Sequence, residues 1–361
     1  MTLRRDRREF LQGRLSSEKT SGEAPTPGVG GVSAGGSYQL RITRRAMACD
    51  FEVLLNIGQY ERGTEVALEV LDLVTALEEQ LSYFRAGSEL SRINALAAEV
   101  PVPVETSLFE LFERCLQLGD ETEGAFDMAA AALWEAWGFA RRKGEIPTDE
   151  AVLEALRHVG SRFVALDRDK RTIRFLDPGV RLNLGSIGKG YALDRCAALF
   201  AEAQIEDYLI HAGKSSVLAH GKPMQDRPAE TSRPWCVGVA HPLRRGQRLA
   251  ELSLARGALA TSGSANQFFR YRGKRYSHVI DPRTGYPAEG VLSATVIAAS
   301  AAVADALSTA FFILGPEKTR EFCRTRPELA ALLVTPGGHA GAVDLHPIQL
   351  EPEEWRAVDA P

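Results

Sequence analysis

Asn183-Leu184-Gly185-Ser186-Ile187-Gly188-Lys189-Gly190-Tyr191 is the stretch on which the fold class turns. It reads as a glycine-rich turn between a strand and a helix, the place where a P-loop or a dinucleotide fold shows its fingerprint. A Walker A loop needs glycine at Asn183 and Ser or Thr at Gly190, so P-loop chemistry is unsupported. Two readings remain. The turn can present backbone N–H groups and Lys189 to a phosphate at the positive end of a helix, or it is kept small for tight helix packing.

The pattern on either side is irregular. Over residues 38–57, Leu40, Ile42, Phe51, Val53 and Leu55 partly alternate with polar residues, which predicts two short strands around a break at Met47-Ala48-Cys49. Residues 65–81 carry Val66, Val70, Leu73, Val74, Leu77 and Leu81 at helical spacing, leaving Glu69, Asp72, Glu78 and Glu79 for water. The spacing predicts further helices over 107–121, from 148 to about 159, and over 190–203. Short strands are expected over 162–166, 172–175, 208–211 and 235–239. Long helices mixed irregularly with hairpin-like strand pairs imply an α+β fold of mixed or antiparallel sheets with packed helices, not a βαβ alternation.

Residues 14–36 are rich in Ser, Glu, Lys, Thr, Pro and Gly and cannot bury enough surface to order themselves. The expected organisation is therefore a disordered tail over 1–36, a single domain or two interlocked subdomains over 37–350, and a C-terminal tail over 351–361. Residues 28–36 form a linker, because Ser33 stands where a dinucleotide fingerprint needs its third glycine. Residues 222–234 read as a surface loop.

Composition removes several function classes. A formal charge of -4 gives no general basic field, and Arg141-Arg142-Lys143 and Arg244-Arg245 are short and scattered, so no nucleic-acid partner is expected. The most apolar stretch, 291–314, is interrupted by Asp305, so no transmembrane segment is expected. Five cysteines, Cys49, Cys115, Cys196, Cys236 and Cys323, are widely spaced and read as small buried hydrophobes, not as a disulfide framework or zinc site. Arg7-Arg8-Glu9-Phe10-Leu11 resembles a twin-arginine export pattern, but no apolar h-region follows; the expectation is a cytoplasmic protein, with export as the alternative.

Two more clusters carry chemistry. Ser277-His278-Val279-Ile280-Asp281-Pro282-Arg283-Thr284-Gly285 places a histidine three residues before an aspartate that can order a turn through its backbone amides. His278 suits proton transfer near neutral pH, or a strand histidine with its partners satisfied. In Ala304-Asp305-Ala306-Leu307-Ser308-Thr309, Asp305 and Thr309 share one helix face with Ser308 close by. These oxygen donors suit a hard cation such as Mg²⁺, or a helix face turned to solvent. A diphosphate with a metal would use all three clusters together.

At this point the chain resembles the FAD:protein FMN transferases, also called ApbE-type. The resemblance runs over about residues 47–315 in several blocks that keep the family's order. They include Met47-Ala48-Cys49, Ser88-Glu89-Leu90-Ser91-Arg92-Ile93-Asn94, Gly124-Ala125-Phe126-Asp127, Trp137-Gly138-Phe139, Gly188-Lys189-Gly190-Tyr191 and Thr261-Ser262-Gly263, with the two clusters above. The resemblance implies FAD contacts at Met47, Phe84, Ala125, Phe126, Asp127, Asn183, Lys189 and Ile280, and Mg²⁺ near Ser186, Asp305, Ser308 and Thr309. It implies an acceptor hydroxyl on a flavoprotein subunit of a redox complex, FAD as substrate and AMP as leaving group. His278 is then the candidate base, with Lys189 neutralising the diphosphate.

Three positions depart from the family's pattern. Phe84 stands where a tyrosine usually touches the flavin, Asn183 replaces an aspartate, and Lys214 occupies a position where glycine is expected. Two alternative functions follow. One is an FAD-binding protein of the same fold with little transferase activity; the other is an FAD diphosphatase giving FMN and AMP, with water as the nucleophile.

Overall fold

In the computed structural model, which describes residues 39–139, 146–213, 215–224, 233–263, 268–271, 274–339 and 341–358, Met47 and Ala48 turn the chain sharply. Both have positive φ, 48° and 60°, the left-handed pair that a tight hairpin needs and that side chains other than Asn, Asp or Gly rarely adopt. The turn folds β1 (Gln39–Ala46) onto β2 (Cys49–Asn56) in antiparallel register. The predicted break therefore sits where it was expected. Lys214, residues 1–36 with Arg7-Arg8, and Arg141-Arg142-Lys143 lie outside the described residues.

The hairpin starts an eight-stranded sheet ordered β1, β2, β6 (Tyr208–Ala212), β7 (Ser216–His220), β10 (Arg256–Gly263), β13 (Ser293–Ala298), β14 (Ala330–Pro336) and β15 (Val343–Ile348). Every pairing in it is antiparallel. Because strand side chains alternate between faces, Phe51, Val53, Tyr208, Ile210, Ala258, Ala260 and Val296 enter one core, and Leu54, Leu209, Val217, Leu259 and Leu332 enter a second.

The first core lies under helices α1 (Gly63–Leu81), α6 (Gly188–Glu202) and α7 (Ala301–Cys323). It also takes in residues from α2 (Glu89–Leu96) and α3 (Thr106–Glu121). In α1 the buried residues Val66, Val70, Val74, Leu77 and Leu81 keep the three-and-four spacing of the sequence. The second core lies between the large sheet and a three-stranded sheet of β16 (Trp355–Ala357), β9 (Arg248–Leu254) and β8 (Trp235–Ala240). A satellite cluster joins α4 (Ala131–Ala136) to α5 (Asp149–Arg157), whose N-terminus is capped by the Thr148 hydroxyl accepting from Ala151 N–H at 3.2 Å. A small sheet pairs β5 (Thr172–Phe175) with β3 (Val102–Pro103) and β4 (Val164–Asp167), and β11 (Phe268–Tyr271) pairs with β12 (Lys274–Ser277).

The architecture is α+β, as expected. Three local expectations change. The segment expected as a strand over 162–166 begins as a single 3₁₀ turn, Ser161–Phe163, and pairs only from Val164. The segment before the glycine-rich turn, expected as a strand, joins no sheet among the described residues. Asn94 takes the place of a neighbouring strand there, donating to Leu182 O at 2.9 Å and accepting from Leu182 N–H at 2.7 Å, while Asn183 N–H donates to Met128 O at 2.8 Å. Nor is 351–361 only a tail, because Trp355 packs on the second core and Trp355–Ala357 pairs with β9. Among the described residues, no helix is long and apolar enough to cross a membrane.

Candidate active site

The first turn of α6 crosses the first turns of α7 at unusually short range. A Cβ on Gly190 would lie 2.7 Å from Ala302 N and closer still to the Ala301 carbonyl, so only glycine lets the two backbones meet. Asp194, one turn further along α6, accepts from Ala301 N–H at 2.7 Å, Ala302 N–H at 2.9 Å and the Ser300 hydroxyl at 2.7 Å, capping α7. In the other direction, Oδ2 of Asp305 accepts the Gly190 N–H at 3.0 Å, and Oδ1 accepts the Ser216 hydroxyl at 3.2 Å. Asp305 is only 5% exposed, and burial pushes its carboxyl above the usual range against the opposing pull of the Lys189 charge.

Lys189 and Asp305 stand on the wall of a cleft of about 1220 Å³. The β1–β2 turn contributes Met47, the end of α1 is followed by Tyr83 and Phe84, and the loop before α4 gives Ala125, Phe126 and Asp127. Asn183, Ser186 and Lys189 come from the glycine-rich turn, and Thr309 joins Asp305 from α7. His278 and Ile280 come from the segment after β12. The cleft thus gathers residues from across the sequence.

Ser308 is the expected site residue that the cleft leaves out. It is fully buried, its hydroxyl donating to Asp305 O at 2.8 Å and sharing a hydrogen bond with Ser262 at 2.9 Å. Its role is to hold Ser262, whose hydroxyl also meets that of Thr309 at 3.0 Å. The family resemblance placed Ser308 near the metal; here its hydroxyl is engaged by the Asp305 carbonyl and by Ser262.

Other expected residues act through the backbone they hold. Both oxygens of Asp127 are occupied: Oδ1 accepts from Ala129 N–H and the Ser161 hydroxyl, each at 2.8 Å, and Oδ2 accepts from Ser161 N–H at 2.9 Å. Asn183 Oδ1 accepts from Gly185 N–H at 2.8 Å, an Asx turn that shapes the glycine-rich segment. Lys189 donates to the Ser215 hydroxyl, which orients its ammonium along the cleft wall. Asp281 orders its turn as the sequence implied, accepting from Arg283 N–H at 3.0 Å and from the guanidinium at 2.8 and 2.7 Å. The turn is tied down by Trp137, whose indole N–H donates to Gly285 O at 2.8 Å.

One corner of the cleft is aromatic. Phe84 is 64% exposed and meets Tyr83 and Trp134 edge to face at 5.5 and 5.9 Å between centroids. The Tyr83 hydroxyl donates to Glu135, and burial followed by that carboxylate pushes its titration up. Sequence reading missed Tyr83, Trp134 and Ser215. Tyr83 could have been found beside Phe84, but nothing in the local pattern of Trp134 or Ser215 marks them.

The donor set defines what ion it could take. Among the described residues no group of three or more His, Cys, Asp or Glu side chains is placed to hold a metal. Asp305, Thr309 and Ser186 offer one carboxylate and two hydroxyls to the same cleft. That set fits a hard cation that keeps waters and shares substrate phosphates, as Mg²⁺ does.

Residues 41–333 match the sequence model of the ApbE family. An FAD:protein FMN transferase of Treponema pallidum is 33% identical over 335 residues, covering 88% of this chain and 91% of the relative. An Escherichia coli FAD:protein FMN transferase is 30% identical, covering 77% of this chain and 79% of its own length. The crystal structure of the ApbE protein from Thermotoga maritima superposes with a TM-score of 0.75 at 29% identity, covering 85% of this chain and 96% of that one.

Proposed function

The chain belongs to the ApbE family, and from that premise we propose that it transfers FMN from FAD to a Thr or Ser hydroxyl of an acceptor flavoprotein, releasing AMP, with Mg²⁺ assisting. The observation that carries this reading is the convergence of Lys189 and Asp305 at the N-terminus of α6 in a cleft of about 1220 Å³. Pockets for drug-sized ligands occupy roughly 300–1,000 Å³, so a cleft of this size suits a dinucleotide.

The chemistry is a phosphoryl substitution. The acceptor oxygen forms a new bond to the FMN-side phosphorus, the bond from that phosphorus to the bridging oxygen breaks, and AMP leaves with the electron pair. The hydroxyl proton passes to His278, which lines the same cleft. The Lys189 ammonium stabilises charge on the diphosphate, and its placement by the Ser215 hydroxyl means little reorganisation accompanies the reaction. Asp305, Thr309 and Ser186 would hold Mg²⁺, which supplies further charge neutralisation at the phosphates when bound. Asp127 and Asn183 shape the backbone against which FAD lies, and the aromatic corner at Phe84 offers ring surface to the isoalloxazine.

The test is to incubate the protein with FAD, Mg²⁺ and a domain bearing an acceptor threonine, then weigh the acceptor by mass spectrometry. A gain of one FMN with AMP released, lost in Asp305→Ala, supports transfer. FMN and AMP appearing without acceptor would instead mean hydrolysis, and tight FAD binding without either product would mean a binding protein.

A further inference from the structure

We propose that His241 is a positioning residue for FAD, its neutral imidazole serving as the acceptor that folds the loop after β8 into one wall of the cleft. This rests on reading the cleft as the FAD site. His241 is 7% exposed, and its Nδ1 accepts the backbone N–H groups of both Leu243 and Arg244 at 3.1 Å. The loop closes through His241 N–H to Gln247 O at 2.9 Å and Gln247 N–H to Arg244 O at 3.3 Å. The turn at 241–244 is therefore shaped by one side-chain lone pair, in the manner of an Asx turn. Pro242, Leu243, Arg245 and Gly246 line the cleft together with His241. No chemical step assigned above uses any of them.

A nitrogen that accepts two N–H donors carries no proton of its own, so the ring proton belongs on Nε2. Protonating Nδ1 would set a third donor against those two. Burial, and after it the neighbouring Arg244 charge, hold His241 below its ordinary value of 6.5, so the neutral form is the one the fold selects. Other titratable and charged groups lie around the loop and cleft: Arg245 within the loop, Arg248 on β9, paired to Glu251 at 2.9 Å, and Glu78, Asp127, Lys189, His278 and Asp305 elsewhere on the cleft wall. Among the described residues, Arg244 is the charge that bears on the ring, and it opposes protonation.

The sign is then fixed. As pH falls through the histidine range, the loop loses its acceptor and FAD affinity falls, while turnover of bound FAD is set elsewhere. The experiment measures FAD Kd by flavin fluorescence and the KM and kcat of transfer from about pH 8 down to about pH 5, with pKa reference values setting that window. The full-length wild-type chain, His241→Ala and His241→Asn are compared, with folding checked by thermal melting.

For the wild type, Kd and KM should rise about tenfold across that range, the worth of one or two hydrogen bonds. His241→Ala should show a similar loss already at the upper pH, and His241→Asn, whose carboxamide oxygen can accept the same N–H groups without titrating, should recover most of it and flatten the profile. His278 is a second histidine on the same cleft, so the difference between wild type and His241→Asn is the decisive readout. An Asn variant whose Kd follows the wild-type pH profile would overturn the proposal, as would an Ala variant that folds and binds FAD like the wild type. If His241→Ala does not fold, the Asn comparison decides alone. A His241-dependent Kd without any transfer would sink the transferase reading and leave this one standing; wild-type protein that does not bind FAD would overturn both.

Discussion

Asp305 accepts the backbone N–H of Gly190 at 3.0 Å, joining residues 115 positions apart in the chain. The buried carboxylate and the start of α6 are therefore one mechanical unit. Lys189, the residue before Gly190, inherits its place from this bond, and Asp194 repeats the arrangement one turn later by capping α7. Positioning and electrostatics at the cleft come from the same contact.

Replacing Gly190 with alanine should separate the two helices. The added carbon would come within 2.7 Å of Ala302 N, a backbone atom that cannot rotate away. Overpacking of this kind costs roughly 1–3 kcal/mol, and here the Asp305 hydrogen bond is strained as well. A lowered urea midpoint together with lost FAD affinity is the expected result; an unchanged midpoint would show that α6 and α7 can slide apart freely.

Asp305→Asn separates the fold from the charge. The carboxamide keeps an oxygen for Gly190 or Ser216, so stability at neutral pH should stay within about 1 kcal/mol of the wild type. Burial raises the Asp305 pKa above its unfolded value of 3.8, so its contribution to stability is fully present below that value and is lost as pH rises through the folded pKa. The Asn variant should lack that pH-dependent loss. Transfer should nevertheless fall by about 10² or more, since a preorganised electrostatic group is gone. Denaturation at several pH values and single-turnover transfer measure the two effects separately.

The sequence already held the local half of this site. Spacing located α1, α3 and α5 closely, and the three clusters around Lys189, His278 and Asp305 do meet at one cleft. What local pattern could not carry was distance and direction. Ser308 shares the motif of Asp305, yet its hydroxyl turns inward to Ser262. The amide of Asn94, 88 residues before Leu182, takes the place of the strand partner expected beside the segment before the glycine-rich turn. His241 holds backbone two and three residues ahead, a local contact, but no turn preference marks histidine as the acceptor. Trp355 reads as tail sequence until the second core exists to receive it.

His278→Gln should divide binding from chemistry. The side chain lines the cleft at the end of a segment fixed by Asp281, Arg283 and Trp137, so the surrounding turn should survive the change. Loss of a general base reduces rate by about 10² to 10⁴. With FAD Kd changed by less than about threefold, such a loss would place His278 in proton transfer. Equal losses in binding and rate would give it a role in holding FAD.

Phe84→Tyr tests whether the departure from the family's tyrosine matters for flavin binding. Phe84 is 64% exposed, and its ring is held edge to face by Trp134 and Tyr83, so a para hydroxyl has room without disturbing the packing. The neighbouring Tyr83 hydroxyl cannot supply the missing group, because it is committed to Glu135. Ring stacking is present in both variants, and one solvent-facing hydrogen bond is worth about 0.5–1.5 kcal/mol. Kd for FAD should therefore tighten by no more than about tenfold, with stability unchanged. A larger gain would mean that the phenylalanine sets affinity in this chain, whereas weaker binding would mean that the aromatic corner closes on the flavin more tightly than its exposure suggests.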